Sequence, residues 1–395
     1  MAPYASAQSR PQRPQTSPEK KNQRPVGLSE EEIRKQAEQR RIEEEARNAP
    51  TDDEPLEIKT DLVNVDTVVY NKKTGEIITG LKRSNFAVFE NGVKQEITNF
   101  AEPEAPITVT LLVEYSKWSE IFARLGSGGW DYQNLEVIRP VAYFVSRFIK
   151  PPDDYASVVA FDLRPTPITD FTNDPRRLQA VVNLLLRNRP AFRENNLFDA
   201  LKFVLVGGKG DTVVLENEDA KKVEYSGMVA VKSPRRAIIL VASGIDTFSR
   251  INYNDMRKVI QEAGIPIYII STGNLFYKKY ESQLPATDSI SGFPGRLTFL
   301  QARNAMNTFA KESGGKHYEM TFPGEIGGIL ESINALMRNQ YSIAYDLGDA
   351  KREPGKKYKL DVRVDVNGDG VYDDKAFVVQ HRPFFVIEKD EDKDK

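Results

Sequence analysis

The chain has 395 residues, enough for two or three domains, and its formal net charge of −2 gives no basic excess of the kind that marks a nucleic-acid surface. It has no cysteine, which excludes disulfides, thiolate nucleophiles and sulfur-ligated metals. Only His317 and His381 are histidines, too little for a histidine zinc site or a Ser-His-Asp triad. Apolar residues make up 40% and charged residues 28%, a globular balance, and no apolar run approaches the roughly 20 residues that cross a bilayer.

At the start, "MAPYASAQ" places Ala5-Ser6-Ala7 before Gln8, which reads like a signal-peptidase site, although the apolar stretch that should precede it is missing. The expectation is export to the periplasm, envelope or medium from a start lying upstream; the alternative is a chance match in a cytosolic chain. Residues 1–28 are rich in Pro, Gln, Ser, Lys and Arg and have too few large apolar groups for a core, so they are expected to be disordered. Ser29-Glu30-Glu31-Glu32 has capping-box form and opens a charged, solvated helix to about Arg47, within a helix-and-linker segment 29–50.

From 51 to 104 the period changes to two. "LEIKTDLVNVDTVVYN" alternates as a strand, "KKTG" turns, and "NFAVFENGVKQEITNF" gives two strands about the Asn91-Gly92 hairpin. Segment 105–347 then alternates strands ("ITVTLLVEY", "YASVVAF", "RAIILVAS", "PIYIIST") with helical patterns at 135–149, 175–188, 197–206, 254–263, 297–311 and 325–338, before the strand "QYSIAYDL". Strands made almost wholly of Val, Ile and Leu are covered on both faces. The expected fold is therefore α/β, a doubly wound, mostly parallel Rossmann-like sheet with helices on each side. Three insertions, 119–133, 207–233 and 273–295, interrupt it, the middle one reading as a hairpin or flap. Segment 348–388 returns to period two, with "KKYKLDVRVDV", "GDG" and "DKAFVVQHRPFFVI" read as a hairpin, and 389–395 is an acidic tail. The two β segments are expected to pair as one antiparallel β-domain, a sandwich flanking the α/β domain.

"GLKRSNFAVFENGVKQEITNF" immediately before the first core strand, then "LLVEYSKWS", "NNLFDALKFV" and "RAIILVASGIDTFS", follow one another in the order used by the von Willebrand factor type A family. The chain resembles that family over about Leu56 to Val386, in particular its bacterial members that place the domain after a short β-rich segment. The resemblance implies a ligand-binding face at the carboxyl edge of the sheet. There the family holds magnesium with an Asp-x-Ser-x-Ser after the first strand, a Thr before the helix like "LFDAL" and an Asp after a later strand. Magnesium wants six hard oxygens in an octahedron, so these three loops must converge.

This chain departs from that pattern. Glu114 stands for the Asp, Ser116 keeps the first Ser, Trp118 takes the second position with Ser119 one place late, Asn195 stands for the Thr, and Ser243 for the later Asp, with Asp246 three residues on. With one carboxylate of the wrong length, magnesium is not expected to be held. The expected binding face is Glu114, Ser116, Trp118, Ser119, Asn195, Ser243 and Asp246, used without metal to contact another protein. Trp118 reads either as an exposed interface anchor or as packing against the insertion after it.

A second metal candidate is "DVNGDGVYDD". Asp365, Asn367, Asp369, the Val371 carbonyl and Asp373 fall at positions one, three, five, seven and nine of a calcium loop, with Gly370 at six. Ala376 stands at twelve in place of a bidentate Glu, and strands flank it, so it resembles the calcium loops in integrin α-subunit β-hairpins. Weak calcium binding is the expectation; the alternative is a polar turn.

Enzyme signatures are lacking. "VGGKGD" and "GSGG" fit neither phosphate-loop nor dinucleotide patterns, Ser243 lacks a Gly-x-Ser-x-Gly elbow, and His317 reads as structural. Two readings remain: a non-enzymatic protein-binding or adhesion-type module, favoured, and a hydrolase or nucleotide-using enzyme on the same scaffold.

Overall fold

The computed structural model describes residues 62–387, apart from 104–105, 127–134, 189, 191, 211–222, 234, 291 and 349–351. The expectations for segments 1–28 and 29–50, the export site and the acidic tail lie outside these residues.

In chain order the strands begin with β1 (Leu62–Asn71), β2 (Phe86–Glu90), β3 (Val93–Gln95), β4 (Ile97–Ala101) and β5 (Thr108–Glu114). Helix α1 (Lys117–Gly126), α2 (Leu135–Tyr143), β6 (Tyr155–Phe161), β7 (Pro165–Thr172), α3 (Pro175–Arg187) and α4 (Leu197–Val206) follow. Next come β8 (Gly208–Gly210), β9 (Val223–Tyr225), β10 (Arg236–Ala242), α5 (Tyr253–Ala263), β11 (Ile267–Ser271), α6 (Gly273–Tyr280) and α7 (Arg296–Ser313). The chain ends with β12 (His317–Glu319), α8 (Glu325–Arg338), β13 (Tyr341–Asp346), β14 (Lys357–Val364), β15 (Phe377–Gln380) and β16 (Phe384–Val386).

The central sheet has the order β12-β11-β10-β5-β6-β7. All its pairings are parallel except β6 with β7, an edge strand the periodicity did not disclose because prolines open it. Every residue of β5 is buried, which is why "TVTLLVE" shows no alternation in sequence although its side chains alternate in space. Val109, Leu111 and Val113 join a core with α2, α3 and α8 on one face, while Leu112 joins the core under α4, α5 and α7 on the other. At about 1.5–3 kcal/mol for each large apolar side chain buried, the two cores are the main drive for this architecture. The same alternation points Glu114, at the end of β5, to the Leu112 side.

The two β segments do meet, as two four-stranded antiparallel sheets, β15-β1-β13-β4 and β16-β14-β2-β3, around one core that includes Val65, Val88, Tyr345 and Val362. Asn91 (φ 48°) and Gly92 (φ 86°) form the hairpin turn between β2 and β3, where a left-handed backbone favours these residue types.

Two expectations are corrected. Strand β13, read as the last strand of the α/β segment, leaves the parallel sheet and pairs antiparallel with β1 and β4. Its buried tyrosines Tyr341 and Tyr345 belong to the sandwich core. The segment around "GDG" is also no hairpin. Strand β14 pairs with β2 and β16 whereas β15 pairs with β1, so loop 365–376 carries the chain from one sheet to the other. Helix α1 begins just before insertion 119–133 and runs into it, and α6 lies within 273–295; in the middle insertion β8 and β9 pair antiparallel, as a hairpin reading expects.

Candidate functional site

Strand β5 ends in Glu114, and the turn beyond it is shaped by helix capping. Ser116 precedes α1; its Oγ accepts from Ser119 N (3.2 Å), while Ser119 Oγ accepts from Ser116 N (3.1 Å). This reciprocal pair satisfies donors that the helix start leaves free. Ser116 Oγ then donates its own proton to Glu114 Oε1 at 2.6 Å. From the turn before α4, Asn195 Nδ2 donates to the same oxygen at 3.0 Å. From the turn after β10, Ser243 donates twice to Glu114 Oε2, through its N–H (2.6 Å) and its hydroxyl (2.7 Å). Gly273 makes room for this approach: a Cβ there would stand 2.5 Å from the Ser243 carbonyl oxygen.

Of the seven strand-end residues singled out in the sequence, Ser116, Asn195 and Ser243 thus converge on the carboxylate of a fourth, Glu114, and a fifth, Ser119, holds Ser116 in place. They do not form an exposed face, and that expectation is corrected: Glu114 is 1% exposed, and Ser116, Ser119, Asn195 and Ser243 are also buried. A polar group at the end of a two-sided sheet is covered by the helices that cover the strands, so it must be satisfied from within. Burial pushes the Glu114 carboxyl above its usual range, and the bonds from Ser116, Ser243 and Asn195 oppose that shift.

Trp118 is also buried, 5% exposed, and is no surface anchor. Its ring stacks on Phe122 (5.4 Å between centroids) and meets Phe293 edge-on (5.4 Å), with the Arg193 guanidinium 5.6 Å from its centre. Phe276 and Phe299 complete this aromatic cluster between α1, α6 and α7, so the insertion reading of Trp118 describes its position.

Asp246, the seventh residue, stands apart from the Glu114 knot and is half-buried. Its Oδ1 accepts from Ser249 Oγ (2.6 Å) and from Phe198 N (3.3 Å), while Ser249 Oγ accepts from Phe198 N and Asp199 N. The start of α4 is therefore capped by a different loop, which Asp199 pins in turn by accepting from Arg250 N and Ile251 N. Thr247 locks the same loop onto Asn195, accepting from its N–H at 2.7 Å and donating to its carbonyl at 3.0 Å. Thr247 and Ser249 went unnoticed in the sequence; their only signal is the run of hydroxyls in "SGIDTFS".

The family's magnesium does not fit these residues. Both Glu114 oxygens already accept two hydrogen bonds each. Asn195 Oδ1 is the one buried acceptor of the group without a partner, against six oxygens for an octahedral shell. Among the described residues no three His, Asp or Glu side chains stand together in a way that could hold a metal ion.

Loop 365–373 is closed by its own first residue. Asp365 Oδ1 accepts from Gly368 N (2.7 Å) and Asp369 N (3.2 Å), and Oδ2 accepts from Gly370 N (2.7 Å). Asp369 takes Val371 N and Asn367 Nδ2, and Asp373 Oδ2 takes Val366 N. Val371 is exposed at the tip.

No family model matches the chain, and no curated protein matches it in sequence. Solved structures are similar to it. Proximal thread matrix protein 1 from the mussel byssus aligns with 63% of this chain and 50% of its own, at 11% identity and a TM-score of 0.38. The vWF domain of the type V pili tip protein Mfa5 from Porphyromonas gingivalis aligns with 64% of this chain and 99% of its own, at 12% identity and 0.37. The conserved hypothetical protein BatB from Bacteroides thetaiotaomicron aligns with 58% and 98%, at 12% identity and 0.34. The chain spans about half the length of the mussel protein structure. Of these three, the Mfa5 domain is the one whose description names a vWF domain, the family that the sequence pieces resemble.

Proposed function

We propose that this chain is a non-enzymatic, exported protein-binding module that contacts its partner through apolar side chains at the carboxyl edge of the central sheet, without magnesium. The observation that carries this reading is where exposed apolar surface lies. Of the twelve large apolar side chains that are exposed among the described residues, six (Phe192, Phe248, Ile290, Leu297, Leu300 and Phe322) come from connections and helix starts at that edge. Phe248, at 66% exposure, and Phe192, at 49%, flank the buried knot directly: Phe248 N–H donates to Asn195 O, and Lys117 N–H donates to Phe192 O. The knot beneath them uses its polar groups internally, so the contact surface it supports is apolar. Exposed aromatic groups on rigidly held loops are favoured at protein interfaces. The test is capture of a partner from the source cell's envelope fraction by the immobilised chain. Loss of that partner on Phe248→Ser and Phe192→Ser supports the reading; capture unchanged in both variants overturns it.

Calcium at 365–373 is proposed alongside. In its support, the Asp365 carboxylate already gathers three backbone N–H groups and bends the loop around itself. Binding would turn Asp369 and Asp373 from N–H groups toward the ion, which fits weak affinity, roughly 10⁻⁴–10⁻³ M.

One observation favours the enzyme reading. Ser271 Oγ lies 2.6 Å from His317 Nε2, and His317 Nδ1 lies 2.8 Å from Asn307 Oδ1, a nucleophile-base-orienter order. The cavity beside them is about 20 Å³, space for one water, which leaves an acyl substrate no room. Ser243, the serine considered from the sequence, donates its hydroxyl to Glu114, and His317, which lines the same small cavity, has its Nε2 on Ser271. Absence of fluorophosphonate labelling at Ser271 removes this reading; labelling lost on His317→Gln would establish it.

A further inference from the structure

A cleft of about 370 Å³ opens at the carboxyl edge beside the buried knot, between the loop after β10, the first turns of α4 and α5, and the amino-terminal half of α7. Its size lies within the range of small recognition pockets, about 300–1,000 Å³. Two features make the space. Gly244 has φ +86°, and a Cβ there would meet Met306 Cγ at 3.2 Å and Ala302 Cβ at 3.5 Å, so only glycine lets the loop lie against α7. On α7 itself Ala302 and Ala305 form a floor of small side chains.

The walls are aromatic and the charge is single. Phe198 and Tyr253 line the cleft, both buttressed by Phe309, edge-on at 5.4 Å and stacked at 5.5 Å. Asp246 is the one charged residue among those that line it, and the polar groups beside it, Gln301, Asn304 and Thr298, are neutral. The nearby cation Arg257, 5.7 Å from the Tyr253 ring centre, is held by the Glu312 carboxylate and does not line the cleft. Asp246 therefore faces the cleft with hydrogen bonds from Ser249 and the α4 start, and no cation stands among the described residues that line it. Burial raises its pKa from the usual aspartate range, and Ser249 and the backbone N–H groups oppose that shift.

We infer that this cleft takes one lysine or arginine side chain of the partner protein, its charged head at the Asp246 carboxylate and its methylene stem against Phe198, Tyr253 and the Ala302–Ala305 floor. The inference rests on the protein-binding reading and gives it a chemistry. A cation is attracted both by the carboxylate and by the faces of aromatic rings, and a long basic side chain lays its stem along apolar surface while its head stays polar. A ligand carboxylate would meet like charge and is rejected. A metal ion would find a single carboxylate where several oxygens are needed.

The test is saturation-transfer NMR on the full chain with Nα-acetyl-lysine N-methylamide, its norleucine and glutamate counterparts, and spermidine. The lysine probe is expected to give transfer at least fivefold above the norleucine and glutamate probes. That transfer should fall at least fivefold in Asp246→Asn, which keeps an acceptor oxygen for Ser249 and Phe198, and in Gln301→Lys, which tethers an ammonium group in the cleft from an exposed position. Equal transfer from the lysine and norleucine probes, or transfer unchanged in both variants, overturns the inference. Spermidine transfer without lysine-probe transfer overturns its assignment to a protein side chain. A captured partner lost on Phe248→Ser but retained by Asp246→Asn and Gln301→Lys leaves the binding module standing and refutes the cleft.

Discussion

Ser243 and Glu114 are 129 positions apart in the chain, yet the Ser243 N–H and hydroxyl both meet Glu114 Oε2, at 2.6 and 2.7 Å. With Ser116 and Asn195 on the other oxygen, one buried carboxylate joins the ends of β5 and β10 to the start of α4.

Glu114→Gln should be among the more damaging isosteric changes in the protein. An amide NH₂ would face donors on at least one side, leaving a buried donor unpaired at a cost of about 1–3 kcal/mol. Urea unfolding at neutral pH measures it; a variant as stable as the parent contradicts this account of the knot.

The same residue sets a pH sign opposite to that of a salt-bridged carboxylate. The folded-state pKa of Glu114 is raised above its unfolded value by burial, so the native state binds a proton more readily than the unfolded chain does. Its contribution is least favourable above the folded pKa and improves as pH falls through that value. The stability gap between parent and Glu114→Gln should therefore widen from neutral pH toward mildly acidic pH.

His317 works in the other direction. Burial pushes its pKa down to about 4 from 6.5, so as pH falls below 6.5 the unfolded chain takes up a proton that the folded one refuses. Stability should drop between pH 6.5 and 4 by at most about 3 kcal/mol from this group. His317→Gln should flatten that part of the profile, as read by urea midpoints across the interval.

Metal additions distinguish the Glu114 knot from the proposed calcium loop. Magnesium should leave the melting temperature unchanged, because the Glu114 oxygens are fully engaged. Calcium should raise it, and Asp369→Ala should remove the rise. A calcium response that persists in Asp369→Ala places the ion elsewhere.

Two aromatic residues near the same edge should behave oppositely. Trp118→Ala empties a stacked, buried site and should cost about 3–5 kcal/mol. Phe248→Ser removes an exposed ring and should change stability by no more than about 0.5 kcal/mol while abolishing partner capture.

The amino-acid order alone determined the α/β class, the Asn91-Gly92 hairpin and the helices at 197–206 and 325–338, because period, turn chemistry and run length are local properties. Through the resemblance to the type A family it also marked Glu114, Ser116, Asn195 and Ser243, which stand where that family's ligand residues would fall. Tertiary structure decided what those residues do. Whether a side chain at a strand end is exposed depends on what the helices and insertions lay over it, and α1, α6 and α7 lay an aromatic cluster beside this one. The fate of β13 and of loop 365–376 was likewise set by partners far away in sequence: a strand's periodicity says that it pairs, but the sheet it joins depends on which edges the rest of the chain leaves open.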